Sequence, residues 1–289
     1  MKGSRIIISD LDFEILMFLW HWKVATTSML GLRLYGSDQS SGIYQRLARL
    51  ERAGYILARA GVRGKHFAWT LTEKGFSVVR PWLKGLQEDG FRSENVGHDL
   101  LVSAVHLGSW IRGIPEGSDV FTEQQLRRYP ESEYPEWVPR TSQHRPDGYW
   151  KVKEDPSHRL IALEVELSRK TDFDYHAIAD FYAAWKRIYQ VVWVVEKERY
   201  GLRLAEKLSS RLEQKADYHN FLTIGQFVES GWQAKIIAGS ETGKSLQELV
   251  DNTPRTDQSP VPGKLLMNAV KVPFRTEGYR IFSPSDFCR

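Results

Sequence analysis

Residues 161–170 read IALEVELSRK. Ile161, Leu163, Val165 and Leu167 alternate with Ala162, Glu164 and Glu166, the period of a β-strand with one fully apolar face. Two like charges therefore project together from the other face. A middle strand of a covered sheet is apolar on both sides, so carboxylates there mark a site rather than a surface. The competing reading is a solvated edge whose acids pair with Arg145, Arg169 and Lys170.

The flanking sequence places this strand inside a larger pattern. Upstream, NVGHDLLVSAVHLGSWIRG is helix-like and SDVFTEQQL is a short strand. YPESEYPEWVPRTSQHRPDGYW then crosses a proline-rich loop and enters a strand at Asp147, and KEDPSHR turns the chain back. Downstream come a helix, FDYHAIADFYAAWKRI, a buried strand, VVWVV, and another helix, RLAEKLSSRLEQ.

Helix, strand, strand, strand, helix, strand is an order that resembles the core of the PD-(D/E)xK nuclease fold. The expectation is an α/β chain, α+β overall, with a mixed central sheet. On that resemblance Asp147 opens the second strand and Glu164 and Glu166 lie on the third, with sixteen residues between Asp147 and Glu164. Carboxylates on adjacent strands can hold Mg²⁺ or Mn²⁺ with positions open for water and a phosphate oxygen. Residues two apart on a strand share a face, roughly 6.5–7 Å apart. Glu164 is thus a metal-ligand candidate, and Glu166 contacts metal through water or serves as base. Glu166 stands where this fold usually keeps a lysine, and Lys170, at the start of the next helix, is the candidate to take that part.

The first eighty residues carry a different rhythm. Asp12 opens FEILMFLWHWK, in which Ile15, Phe18, Leu19 and Trp22 share a helical face. Thr26 or Thr27 caps a second helix, SMLGLRLYG, which Gly36 ends. Ser40 or Ser41 caps a third, GIYQRLARLERAGYI, with Ile43, Leu47 and Leu50 inward and Gln45, Arg46, Arg49 and Arg52 outside the stripe. Two alternating strands around VRGK follow, then TEKGFSVV as a further helix start.

Three helices and a hairpin in that order resemble a winged helix-turn-helix, and LERAGYI and LTEKG look like pieces of many bacterial winged-helix regulators. Gln45, Arg46, Arg49 and Arg52 would face the grooves of double-stranded DNA, and Arg63 and Lys65 at the wing tip would face its backbone. Between Arg33 and Lys84 ten basic residues meet three acidic ones, a local excess of +7 within a chain of net charge +4. That is an electrostatic footprint for a polyanion. The bland alternative is a winged helix used for protein contacts, its arginines merely solvated.

Composition bounds what remains. With 42% hydrophobic and 12% aromatic residues among 289, the chain can bury a core. No stretch approaches the ~18 consecutive apolar residues of a membrane span, and acidic residues follow the short apolar run near the start, unlike a signal peptide. The single cysteine, Cys288, excludes a disulfide framework or a cysteine zinc site within this chain. These features read as a soluble, cytoplasmic protein. GSETGKS (239–245) lacks the first glycine of a phosphate loop and is set aside.

The organisation expected is a winged helix over residues 1–82, a linker over 83–94, a nuclease-like unit over 95–239 and a polar, partly extended tail over 240–289. NFLTIGQFV and GWQAKIIAG read as an extra hairpin or as edge strands.

GHDLLV, RPDG, ALEVELSRKT and a following helix with tyrosines together look like the replication-relaxation (MobC-like) family of plasmids and other mobile elements, over roughly residues 10–200. The resemblance implies DNA binding, replication or relaxosome proteins as partners, and nicking or cleavage by metal-dependent phosphodiester hydrolysis. The alternative is a catalytically inactive nuclease-like accessory or a transcriptional regulator. On the match His98 and Asp99 lie near the expected site, although a capped or surface role competes for His98. Tyr175 and Tyr182 read as packing residues. Many DNA-cutting proteins of this fold act as homodimers.

Overall fold

The computed structural model describes residues 6–37, 41–60, 67–141, 143–152, 160–212 and 218–251. Arg63 and Lys65, expected at a wing tip, the segment KEDPSHR, expected to turn the chain, and the chain from 252 onward lie outside the described residues. The fold is mixed α and β, with a three-stranded and a five-stranded sheet.

Helix α1 (Asp10–Trp22) begins earlier than the sequence reading placed it. Ser9 is the cap: its hydroxyl accepts from the Asp12 amide, and the Asp12 carboxylate accepts from the Ser9 amide at 2.9 Å. Asp12 is therefore the third residue of a capping box rather than the cap itself. Strand β1 (Ala25–Thr26) leads into α2 (Thr27–Tyr35), capped by the Thr26 hydroxyl and ended by Gly36 at φ 69°. Helix α3 (Ser41–Arg52) buries Ile43, Leu47 and Leu50 as its pattern requires.

Strands β2 (Ile56–Ala60) and β3 (Phe67–Leu71) pair antiparallel, and β1 joins the far side of β3, giving the order β1-β3-β2. Helix α4 (Glu73–Val79) follows, capped by Thr72. A Cβ at Gly75 would lie 2.0 Å from the Tyr55 carbonyl oxygen, so that glycine lets α4 close on the end of α3.

Residues 83–94, read as a linker, are packed against both sides. Leu83 is buried, Phe91 stacks on Phe76, and the Gly90 carbonyl accepts from the Trp20 and Gln124 side chains at 3.1 and 2.8 Å.

Helix α5 (Val96–Leu107), capped by Asn95, precedes β4 (Asp119–Thr122) and the short α6 (Glu123–Arg128). Strands β5 (Gly148–Lys151) and β6 (Leu160–Glu166) come next, then α7 (Asp172–Ala184), β7 (Ile188–Val195), α8 (Glu198–Leu212) and β8 (His219–Thr223). The sheet order is β4-β5-β6-β7-β8, antiparallel from β4 to β6 and parallel from β6 to β8. Strand β6 is central, and all seven of its residues are buried.

Its two faces enter two cores. Ile161, Leu163 and Val165 join α5 and the N-terminal helices, including Leu19 and Trp22. Leu160 and Ala162 join Tyr182, Trp193, Leu204 and Leu208 beneath α7 and α8.

Of the hairpin or edge strands expected from NFLTIGQFV and GWQAKIIAG, the edge strand forms, since NFLT lies in β8 at one end of the sheet, and the hairpin is absent among the described residues. Thr223 and Gln226 form a capping box that starts α9 (Ile224–Ser230) midway through the first segment. The second touches β8 through the single bridge Phe221↔Ala238. Helix α10 (Leu246–Asp251) buries Leu246, Leu249 and Val250. No helix among the described residues is long and apolar enough to cross a membrane.

Candidate functional site

Asp147 sits one residue before β5, where its backbone and side chain both reach the neighbouring strand. Its amide donates to the Leu163 carbonyl at 2.9 Å, and its Oδ2 accepts from the Val165 amide at 2.6 Å. That clamp brings Asp147 beside Glu164, with Glu166 farther along the same strand. The three carboxylates are 9%, 5% and 2% exposed. Charges so buried require partners.

Each carboxylate has its own. Asp147 Oδ1 faces His98 Nε2 of α5 at 3.3 Å. Glu164 Oε1 faces His144 Nε2 at 2.5 Å and accepts from the Tyr182 hydroxyl of α7 at 2.5 Å. Glu166 takes the Lys170 ammonium and accepts from the Ser168 amide at 3.3 Å. The Lys170 amide in turn donates to the Tyr175 hydroxyl at 3.0 Å, and that hydroxyl is hydrogen-bonded to Tyr200.

The protonation states follow from these contacts. Burial works against a charged His98, but the carboxylates of Asp147 and Asp99 outweigh it and lift its pKa to about 10. Burial likewise opposes charge on His144 and Lys170; Glu164 raises the first and Glu166 the second. Glu164 is held below the usual carboxylate range because, against burial, it has His144, Tyr182 and Lys170 around it. Asp147 is pushed up by burial and by the charge of Glu164, despite His98.

Mg²⁺ takes hard oxygen donors of the kind these residues supply. Each carboxylate is turned to a separate protein cation, and among the described residues no group of three or more His, Cys, Asp or Glu is placed to hold a metal ion.

Lys170 lies just before α7 with its ammonium on Glu166. His144 was not read from the sequence, although it stands three residues before Asp147 in SQHRPDG. Tyr182 packs as expected and also donates to Glu164. His106, buried between Trp22 and Trp150, has its pKa lowered to about 3 by burial and faces the Asp147 carbonyl through Nε2 at 3.2 Å.

The basic face of α3 is divided. Arg46 and Arg49 both turn onto the wholly buried Asp12 carboxylate, at 2.8 and 2.5 Å, and Arg46 also donates to Ser9 and Tyr35. Burial would raise the Asp12 carboxyl, but the Ser9 amide and the two guanidiniums lower it below 3.8. Gln45 and Arg52 face outward, Arg52 donating to the Ala48 carbonyl at 3.2 Å. Tyr44, to one side of them on the same helix, is 55% exposed.

No family model, curated protein or solved structure matches this chain.

Proposed function

We propose that the chain is a DNA-binding protein of two joined units: a winged helix-turn-helix over residues 1–82 and a PD-(D/E)xK-like unit over residues 95–239 whose acid cluster is balanced by its own cations. The order helix, short strand, two helices, hairpin, with strands arranged β1-β3-β2, supports the first unit. The order α5, β4, β5, β6, α7, β7, antiparallel and then parallel, supports the second, after the minor helix α6 is set aside.

One observation carries the DNA reading. The outer face of α3 presents Tyr44, Gln45 and Arg52 to solvent without a carboxylate, because the helix's one acid, Glu51, accepts from the Ala58 amide at 3.1 Å. An amide, a phenol and a guanidinium on one helical face suit base edges and phosphates in a major groove. On the family resemblance, the role is that of an accessory in replication, relaxation or mobilisation of a mobile element.

The test is fluorescence anisotropy with a short duplex across a salt series. Gln45→Ala with Arg52→Ala is expected to weaken binding and to make the salt slope shallower by about one unit. Affinity and slope unchanged from wild type would sink the assignment of this face.

A second reading, metal-dependent nicking, is favoured by the placement of Asp147 just before β5 and Glu164 on the neighbouring β6, with Lys170 beside Glu166. Supercoiled plasmid incubated with Mg²⁺ or Mn²⁺ separates the two. Nicking that Glu164→Ala abolishes would replace the accessory reading with the enzymatic one; intact plasmid with DNA binding retained supports the accessory.

A further inference from the structure

Lys23 is the C-cap of α1 and, among the described residues, the non-glycine residue with positive φ, at 61°. L-residues rarely adopt that conformation, and it tends to persist where the surroundings fix it. Here it accompanies a side chain that leaves the helix axis and enters the second unit. The ammonium lies 2.6 Å from Asp99 Oδ1 on α5 and 2.7 Å from Glu123 Oε2 at the start of α6. All three side chains are at most 12% exposed. Asp99 Oδ1 also faces His98 Nδ1 at 3.5 Å, and the other nitrogen of that ring faces Asp147.

We propose that Lys23 is a positioning residue for the acid cluster: through Asp99 and His98, helix α1 fixes the orientation of Asp147. An imidazole held at both nitrogens has its ring plane set, as in the outer contacts that orient a ligand histidine. Without Lys23, Asp99 would lose the ammonium that holds its Oδ1, and the His98 ring would lose its fixed side.

Cohesion alone does not account for this network. The N-terminal helices and the sheet already share an apolar core, and a buried ion pair is about neutral against apolar residues of the same volume. What a buried ionic triad adds to such a core is a single geometry.

The same helix holds the reading face at its other end, where Asp12 takes Arg46 and Arg49. Thirteen residues at ~1.5 Å each make α1 a strut of about 20 Å between α3 and the cluster. The positioning role stands on the contacts themselves; its consequence, that DNA on α3 meets the cluster at one offset, rests on the function proposed above.

Hydrogen exchange on the full chain tests it, with Lys23→Met and the charge-balanced pair Lys23→Met with Glu123→Gln. In both, amides at the start of α5 and in residues 143–151 are expected to exchange about tenfold faster, with α3, β7 and β8 unchanged. The double variant should recover the melting temperature but not the slow exchange. Should Lys23→Met alone fail to fold, the double variant carries the measurement.

Exchange at wild-type rates in the double variant, or a uniform rise along the chain, would overturn the proposal. Anisotropy with a short duplex on the same proteins is a separate arm. Failure of the wild-type chain to bind removes the DNA consequence and leaves the positioning result to stand or fall by exchange.

Discussion

Asp12 shows how far a single residue's role departs from its sequence context. Helical periodicity places Arg46 and Arg49 off the Ile43, Leu47, Leu50 stripe, which correctly predicts that they are not core. It cannot predict that a carboxylate 34 and 37 residues earlier captures both. The acids of the second unit were more legible, because Glu164 and Glu166 lie in one alternating run. Of their partners, Lys170 and His98 were within reach of the sequence and His144 was not, since it reaches Glu164 from a loop without periodic order. A carboxylate whose folded pKa lies below its free value stabilises the fold above that free value, here 3.8, and loses the contribution as pH falls through the folded one. Wild-type stability should therefore drop below about pH 4 partly through Asp12. Asp12→Asn should cost about 1–2 kcal/mol near neutrality, since it removes the anion shared by two guanidiniums that remain partly in solvent, and should flatten that acid limb. Chemical denaturation at pH 7 and at pH 3 measures both, and an acid limb unchanged in the variant would contradict the assignment.

At the scale of elements, the helices and strands with strong periods were legible and those with mixed signals were not. NFLTIGQFV fits alternation over its first half and a helix over its second; the deciding feature is Thr223 with Gln226 three residues on, a capping pair hidden inside an apparent strand. LTEKG follows from the contacts of Thr72 and Gly75 with the end of α3. Thr72 caps α4 while its amide and hydroxyl both donate to the Tyr55 carbonyl, at 3.1 and 2.9 Å, so Gly75 must pass directly beneath that oxygen. Gly75→Ala pushes a methyl into a backbone atom that cannot rotate away. It is expected to cost about 2–3 kcal/mol, the range of a strained overpacked site, even though alanine is the better helix former. A thermal melt equal to or above wild type would show that α4 shifts freely and that the close approach is not required.

At the scale of the molecule, the shared core is the feature the sequence left least visible. Composition and charge divide the chain at residues 83–94, yet the apolar residues of α1 continue through that boundary into the sheet. One signal was present: α1 carries Leu16 and Trp20 in addition to the face of Ile15, Phe18, Leu19 and Trp22, and a helix apolar on more than one side needs a second partner. Periodicity reports that such a partner exists without naming it. Trp20 shows what the partner is, since its ring meets Tyr129 edge to face at 6.1 Å and its indole donates to Gly90 in the segment between the units. Two units joined only by a linker would melt separately, whereas units sharing a core melt together. We therefore expect one transition for the whole chain, with calorimetric and van't Hoff enthalpies equal. Trp20→Leu should lower that single transition by about 5 °C, the equivalent of about 3 kcal/mol in a chain of this size. If calorimetry instead resolves two transitions and the substitution moves only one of them, the N-terminal helices are an independent body and α1 cannot act as a strut.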